Sequence, residues 1–264
     1  MQDLTISIFQ ADLAWEDHER NLSYFDRKID GLNQPTDLIV LPEMFATGFS
    51  VDSGKCAQDF NGPIFKWMKE KAQERQCAIT GSMLFTENGN LFNRLVFMWP
   101  DGRFETYDKR HLFRFGNEHK HFTPGDKRLI VELNGWKIRP LVCYDLRFPV
   151  WAKNTYSEGA FEYDCLIYVA NWPDARSHHW KTLLLARSIE NMSYCVGVNR
   201  IGTDGKGTYH GGDSLVIDPK GKLLAAIEKY TEGSATVVLR AEELLRYREK
   251  FNVAQDWDGF SINN

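Results

Sequence analysis

Short apolar runs, some alternating and some continuous, are cut by glycine- and proline-bearing turns along this chain. Leu4, Ile6 and Ile8 alternate with Thr5 and Ser7, a period of two that predicts a strand. Leu22, Phe25, Ile29 and Leu32 recur at helical spacing and predict a helix over 17–32. Residues 37–43, Asp-Leu-Ile-Val-Leu-Pro-Glu, read as a strand buried on both faces that ends in Pro42 and Glu43. Pro63 opens a predicted helix to about Gln76, with Phe65, Met68 and Ala72 facing inward. Strands over 78–85, 91–99 and 103–107 follow, joined by Asn88-Gly89 and Pro100-Asp101-Gly102. An antiparallel meander is expected, with Lys109 directly after it.

Residues 110–128 read as a loop rich in His, Phe and charge. Asn134-Gly135 then joins two strands, the second running into Cys143. Pro140 in that strand predicts an edge, a bulge or the strand's first turn, because proline cannot donate to a ladder. Beyond it the pattern predicts a helix over 149–158, a strand over 165–170, a helix over 177–192 and a strand over 195–199. A glycine-rich loop over 202–212 comes next, then strands at 214–217, 223–227 and 235–239, and a helix from Ala241 to about Phe251. This is an α/β chain. Two mixed sheets face to face, with helices outside, fit the order of elements better than one doubly wound sheet. No linker or repeat interrupts it, so one domain over 1–264 is expected.

Composition acts mainly by exclusion. A net charge of −4 with scattered Lys and Arg argues against nucleic acid or an anionic membrane as partner. Five cysteines at irregular spacing form no disulfide framework, and the N-terminus shows no signal-peptide pattern. A cytoplasmic location is expected. Residues 202–212 lack the Gly-Lys-Ser/Thr of a phosphate cradle. The histidines (His111, His119, His121, His178 and His179) lack zinc spacing, so no cofactor and no metal are expected.

Chemistry is suggested by three residues at, or just past, separate strand ends: Glu43, Lys109 and Cys143. Cys165 and Cys195 lie inside apolar runs and read as packing, whereas Cys143 stands where an apolar run stops. A helix starting there would favour its thiolate. A thiol nucleophile needs a base, which a carboxylate can supply. An ammonium and a backbone N–H, here that of Tyr144, can hold the oxyanion of acyl transfer.

The segments Leu-Pro-Glu43-Met, Tyr-Asp-Lys109-Arg-His-Leu-Phe and Val-Cys143-Tyr-Asp-Leu-Arg-Phe-Pro resemble the three signature segments of the nitrilase, or carbon–nitrogen hydrolase, superfamily. The likeness continues through Ala170-Asn-Trp-Pro and Gly197-Val-Asn-Arg, and so covers essentially the whole chain. The resemblance implies an α-β-β-α sandwich that forms a homodimer, with 186–191 at the interface and the C-terminal helix and tail, about 241–264, helping the contact. It implies Glu43 as general base and then acid, Lys109 as oxyanion stabiliser, Cys143 as the residue that forms a thioester, and Glu118 as the group orienting Lys109. One departure is Val150, where many relatives carry an acid, which leaves Arg147 without that partner.

Within the family, the Phe-Ala-Thr-Gly-Phe49 loop, His111-Leu-Phe113 and Asn171-Trp-Pro173 with Arg176 are most similar to the ω-amidase branch. That likeness implies hydrolysis of the terminal amide of small dicarboxylate monoamides, 2-oxoglutaramate and 2-oxosuccinamate, to the oxo acid and ammonia. Such a substrate needs a cation for its carboxylate, and Arg176 is the candidate, the alternative being a surface arginine at a helix start. Asn171 belongs to the same candidate pocket, with Phe45, Phe113 and Trp172 as further walls or, alternatively, plain core. Aliphatic amides, nitriles and N-carbamoyl compounds share the chemistry, and an interaction protein on the same fold is the non-enzymatic alternative.

Overall fold

The computed structural model describes residues 1–262. The first half runs β1 (Leu4–Gln10), α1 (His18–Asp30), β2 (Leu38–Val40), α2 (Ser53–Cys56), α3 (Pro63–Arg75), β3 (Ala78–Glu87), β4 (Asn90–Met98) and β5 (Phe104–Asp108). It continues through β6 (Val131–Leu133), β7 (Trp136–Val142), α4 (Pro149–Ala152), β8 (Tyr156–Ser157), β9 (Ala160–Phe161), β10 (Cys165–Ala170) and α5 (Ser177–Glu190). The last elements are β11 (Tyr194–Asn199), β12 (Ile201–Thr203), β13 (Tyr209–Gly211), β14 (Leu215–Ile217), β15 (Leu223–Ala226), β16 (Gly233–Leu239) and α6 (Ala241–Lys250).

Two six-stranded mixed sheets result, ordered β16-β1-β2-β3-β4-β5 and β15-β14-β11-β10-β7-β6. Each has parallel strands at its centre (β1, β2 and β3 in one, β7, β10 and β11 in the other) and antiparallel strands outside them. Ile6, Ile8, Val40 and Phe97 of the first sheet share one buried cluster with Ile138, Ile167, Val169 and Val196 of the second. A separate cluster joins Ile39, Leu41 and Ile79 to Phe25 and Ile29 of α1 and to Ile64, Met68 and Ala72 of α3, outside the first sheet. Trp180 and Leu184 of α5 cover the second. This is the α-β-β-α sandwich, and it brings the carboxyl ends of β2, β7, β10 and β11 together, where ligands of parallel sheets bind.

Local signals held where the turn chemistry is strong. Asn88-Gly89 and Asn134-Gly135 adopt positive φ at both positions, 50° and 77°, then 52° and 80°, as two-residue hairpins with the native strand twist require. Asp17 caps α1 through Arg20 N–H at 3.0 Å, so the helix starts at His18. Pro140 lies in β7 beyond the reach of β6, which pairs only with 136–138. One side of the strand is therefore an edge at the proline.

Three expectations are corrected. The helix from Pro149 ends at Ala152, because Glu158 (φ 54°) and Gly159 (φ 80°) make a tight turn and fold 156–161 into a hairpin. Residues 202–212 are not a plain loop, since β12 and β13 pair there. Cys143 opens a single 3-10 turn, Cys143–Arg147, rather than an α-helix, so any helix-terminus field at the thiol is that of one turn.

Gly81 on β3 shows how tightly the outer cluster is packed. A Cβ there would stand 2.9 Å from the Phe45 ring and 3.0 Å from Leu41 Cβ. Gly81→Ala is expected to lower stability by about 1–3 kcal/mol through overpacking. The check is a lower urea midpoint at unchanged denaturant slope, and an unchanged midpoint would show that Phe45 has room to move.

Candidate active site

Glu43 follows β2 by three residues, Lys109 follows β5 and Cys143 follows β7, so three strand ends deliver the three groups to one point. Lys109 Nζ lies 2.9 Å from Glu43 Oε1 and 2.9 and 3.1 Å from the two oxygens of Glu118. All three side chains are about 1% exposed or less. Buried charges are costly unless their hydrogen-bonding capacity is used, and here it is. Glu43 Oε2 accepts from Asn171 N–H at 2.7 Å. Glu118 Oε2 also accepts from Phe113 N–H, which ties the wall of the site to the lysine's partner. Asn93 donates to Oε1 of Glu43 at 2.8 Å and to Oε1 of Glu118 at 3.2 Å.

Burial disfavours the Lys109 ammonium, but the Glu118 and Glu43 carboxylates outweigh it and hold the pKa above the ordinary lysine range. Glu118 is pushed up by burial and by the charge of Glu43, with Lys109 pulling against both. An ammonium has three hydrogens. The three acceptors within reach are one oxygen of Glu43 and both oxygens of Glu118.

Cys143 has φ 46°, a left-handed conformation that costs a non-glycine residue energy and recurs at functional sites. Strand β7 thus turns sharply at the thiol, which lines a cavity of about 120 Å³ together with Glu43 and Lys109. Burial raises its pKa well above the usual thiol value, and the Glu43 charge and hydrogen bond add to this. Lys109 opposes the rise. Burial thus favours the neutral thiol over the thiolate at this position. The other four cysteines are also free and buried but lie away from this cavity.

The turn behind the thiol is pinned by Asp145, which is fully buried. Its Oδ2 accepts from Val142 N–H at 3.1 Å and from the Tyr107 hydroxyl at 2.8 Å. Its Oδ1 accepts from His111 N–H at 3.0 Å, so one carboxylate couples the Cys143 turn to the residues on both sides of Lys109.

Most of the pocket residues expected from the sequence meet here. Phe113, Tyr144, Asn171, Trp172 and Arg176 line the cavity, and Asn171 Nδ2 also donates to Glu43 O at 2.6 Å. Phe45 does not. It is fully buried outside the first sheet, with its ring 5.7 Å from those of Phe25 and Trp67, because the chain turns away after Glu43 at Met44 (φ 45°). Arg147 is an addition, its guanidinium 4.7 Å over the Trp172 ring. Asp204, Lys206, Thr208 and His210 come from the β12–β13 hairpin, and glycine-rich sequence alone does not show that it folds over a cavity. Among the described residues, no cluster of three or more metal-ligating side chains exists.

The carbon–nitrogen hydrolase family model matches residues 5–249. The chain belongs to the carbon–nitrogen hydrolase family. Relatives of this hydrolase include the omega-amidase YafV of Escherichia coli strain K12, 45% identical over 99% of this chain and all of that one. The 2-oxoglutaramate amidase of Bacillus subtilis strain 168 is 31% identical over 96% of each chain. The structure of XC1258 from Xanthomonas campestris, a superfamily protein with an arsenic adduct in its active site, superposes with a TM-score of 0.97 at 42% identity over both full chains.

His210 carries a pH consequence. It is buried among the cavity residues, and desolvation, helped by Arg200, lowers its pKa from 6.5 to about 4. Unfolded, the ring binds its proton near 6.5, so the unfolded chain takes up more protons between that pH and 4. Stability contributed by the neutral ring is complete above 6.5 and is lost as pH falls toward 4. His210→Asn is expected to flatten the fall in urea midpoint between pH 7 and about pH 5. An equal fall in both proteins would remove His210 from the account.

Proposed function

We propose that this carbon–nitrogen hydrolase is a thiol amidohydrolase that cleaves the terminal amide of small dicarboxylate monoamides, with 2-oxoglutaramate and 2-oxosuccinamate as its substrates. Cys143 attacks the amide carbon as its proton passes to Glu43. Lys109 and the Tyr144 N–H, which as a first-turn donor has no partner within its own turn, hold the oxyanion. Glu43 then protonates the leaving ammonia, and water, deprotonated by Glu43, hydrolyses the Cys143 thioester. Glu118 keeps Lys109 charged and aimed.

The observation that carries the substrate reading is a pair of cations on the same small cavity. Arg147 and Arg176 both line it, and among the described residues neither has a carboxylate within salt-bridge distance. Arg176 lies 5.6 Å over the Phe113 ring and Arg147 over that of Trp172. Burial and the charge of Arg176 lower the pKa of Arg147, as expected of two guanidinium groups close to one another. With Val150 where many relatives carry an acid, Arg147 has His179 Nδ1 at 3.2 Å from one Nη as its side-chain partner, which leaves its other N–H groups for the substrate. Asp204, the acid of the hairpin, accepts from the N–H groups of Lys206 and Thr208 at 2.9 and 2.8 Å and so is engaged in its own turn. A cavity of about 120 Å³ also suits a substrate far smaller than the drug-sized ligands of ~300–1,000 Å³ pockets.

A charge-assisted hydrogen bond contributes about 1.5–3 kcal/mol. Arg147→Ala and Arg176→Ala are each expected to raise KM for 2-oxoglutaramate about 10- to 100-fold, with little change for a neutral aliphatic amide. Ammonia release across carboxylate-bearing amides, neutral amides, nitriles and carbamoyl amino acids makes the comparison. Equal losses on charged and neutral amides, or a preference for nitriles, would remove the carboxylate from the reading.

The same proposal includes a cytoplasmic homodimer. Five free cysteines suit a reducing compartment, and no described helix is long and apolar enough to cross a membrane. Leu185 and Ile189 of α5 are 39% and 47% exposed, an apolar edge that a second copy would cover. The C-terminal helix and tail lie on the same account at that contact, although 263 and 264 fall outside the described residues. Ile189→Glu is expected to shift the protein to the monomer in light scattering, and an unchanged mass would exclude this face.

A further inference from the structure

Asn93 sits in the middle of β4, fully buried, with Phe92 and Arg94 beside it and Leu84 opposite on β3. An asparagine there loses its solvation and needs partners in return. Its amide nitrogen has two hydrogens, and the structure spends them on two different carboxylates: Glu43 Oε1 at 2.8 Å and Glu118 Oε1 at 3.2 Å. Its backbone carbonyl accepts from Lys109 N–H at 3.0 Å. One residue therefore touches all three members of the ion cluster, two through its side chain and the lysine through its main chain.

The orientation of the amide follows from charge. Turned over, the side-chain oxygen would face two carboxylates at hydrogen-bond distance, with no hydrogen between them. In the observed orientation Oδ1 has no hydrogen-bond partner among the described residues, so the arrangement tolerates a buried, unpaired acceptor to keep both N–H groups on the acids. That is the opposite of what packing alone would select.

We infer that Asn93 is a positioning residue that keeps Glu43 and Glu118 both ionised around a single ammonium. Two carboxylates and one ammonium leave a net charge of −1 out of water, and a shared proton would relieve it. A proton on Glu43 would end its service as base. Each N–H of Asn93 bonds to an oxygen that also accepts from Lys109, and so favours the charged form of each acid. Fixing Glu43 Oε1 in this way leaves Oε2 for the Asn171 N–H. The titratable groups facing the cluster are Glu43, Glu118, Lys109 and Cys143, with His210 interacting more weakly with Glu43.

The inference rests on Glu43 being the base but not on the identity of the substrate, so its test uses any amide the enzyme turns over. Asn93→Asp replaces the donor with a third acid, and Asn93→Ser keeps one donor able to reach only one carboxylate. The acid limb of kcat/KM against pH is expected to move upward by about one unit in the aspartate variant and by less in the serine variant. At pH values below the limb the aspartate variant should be slower by up to about tenfold, recovering as pH rises. A loss that is equal at every pH, or an unmoved acid limb in a folded variant, would overturn the inference and leave Asn93 as packing. If the aspartate variant does not fold, the serine variant decides alone. Cys143→Ala and Glu43→Gln run beside them: full turnover in either would show that the catalytic assignment itself is wrong, whatever Asn93 does.

Discussion

Two carboxylates share one ammonium out of reach of water, and the rest of this structure depends on keeping that cluster intact. Charges that are buried together repay their lost hydration only when nearly every oxygen and hydrogen has a partner. The partners come from far apart in the chain: Asn93 from the middle of β4, Asn171 from the end of β10, Phe113 from the loop after β5. Two sheets packed face to face are what bring these ends to one place. The sandwich is thus more than a support, because Asn171, which follows β10 of the second sheet, reaches Glu43 only when the two sheets close.

The same desolvation decides how the thiol is used. A pKa raised by burial makes Cys143 a poor resting thiolate, which protects it from casual reaction, and in the proposed mechanism its activation comes from Glu43. The left-handed turn at Cys143, held from behind by Asp145, presents the residue at the wall of the cavity. The cavity is lined both by Glu43 and Lys109 and by the guanidinium groups of Arg147 and Arg176. A small molecule with an amide at one end and a carboxylate at the other is what the proposed function seats there.

Much of this was legible in the sequence, for identifiable reasons. Strand runs that stop abruptly at Glu43, Lys109 and Cys143 placed the chemistry, and asparagine–glycine pairs placed two of the hairpins. Phe45 was misjudged because adjacency to Glu43 in sequence says nothing of which way the chain leaves the strand, and at Met44 it turns outward. Asn93 was hidden because one polar residue in an apolar strand looks like an interruption until its partners, 50 and 25 residues away, are known. The residues of the β12–β13 hairpin were missed because glycine-rich sequence specifies flexibility of backbone rather than destination. Arg147 was visible as a cation without its usual acid, but only the stacking on Trp172 shows where it goes.

The most direct test of the account is to catch the covalent intermediate. Mixing the enzyme with a slowly hydrolysed amide, quenching in acid and measuring intact and peptide masses should show one acyl group per chain, carried on the peptide containing Cys143. Its loss on brief treatment with hydroxylamine, with a hydroxamate appearing in its place, would mark a thioester. Sustained turnover with no acylated Cys143 at any quench time, or with the acyl group on another residue, would contradict the account.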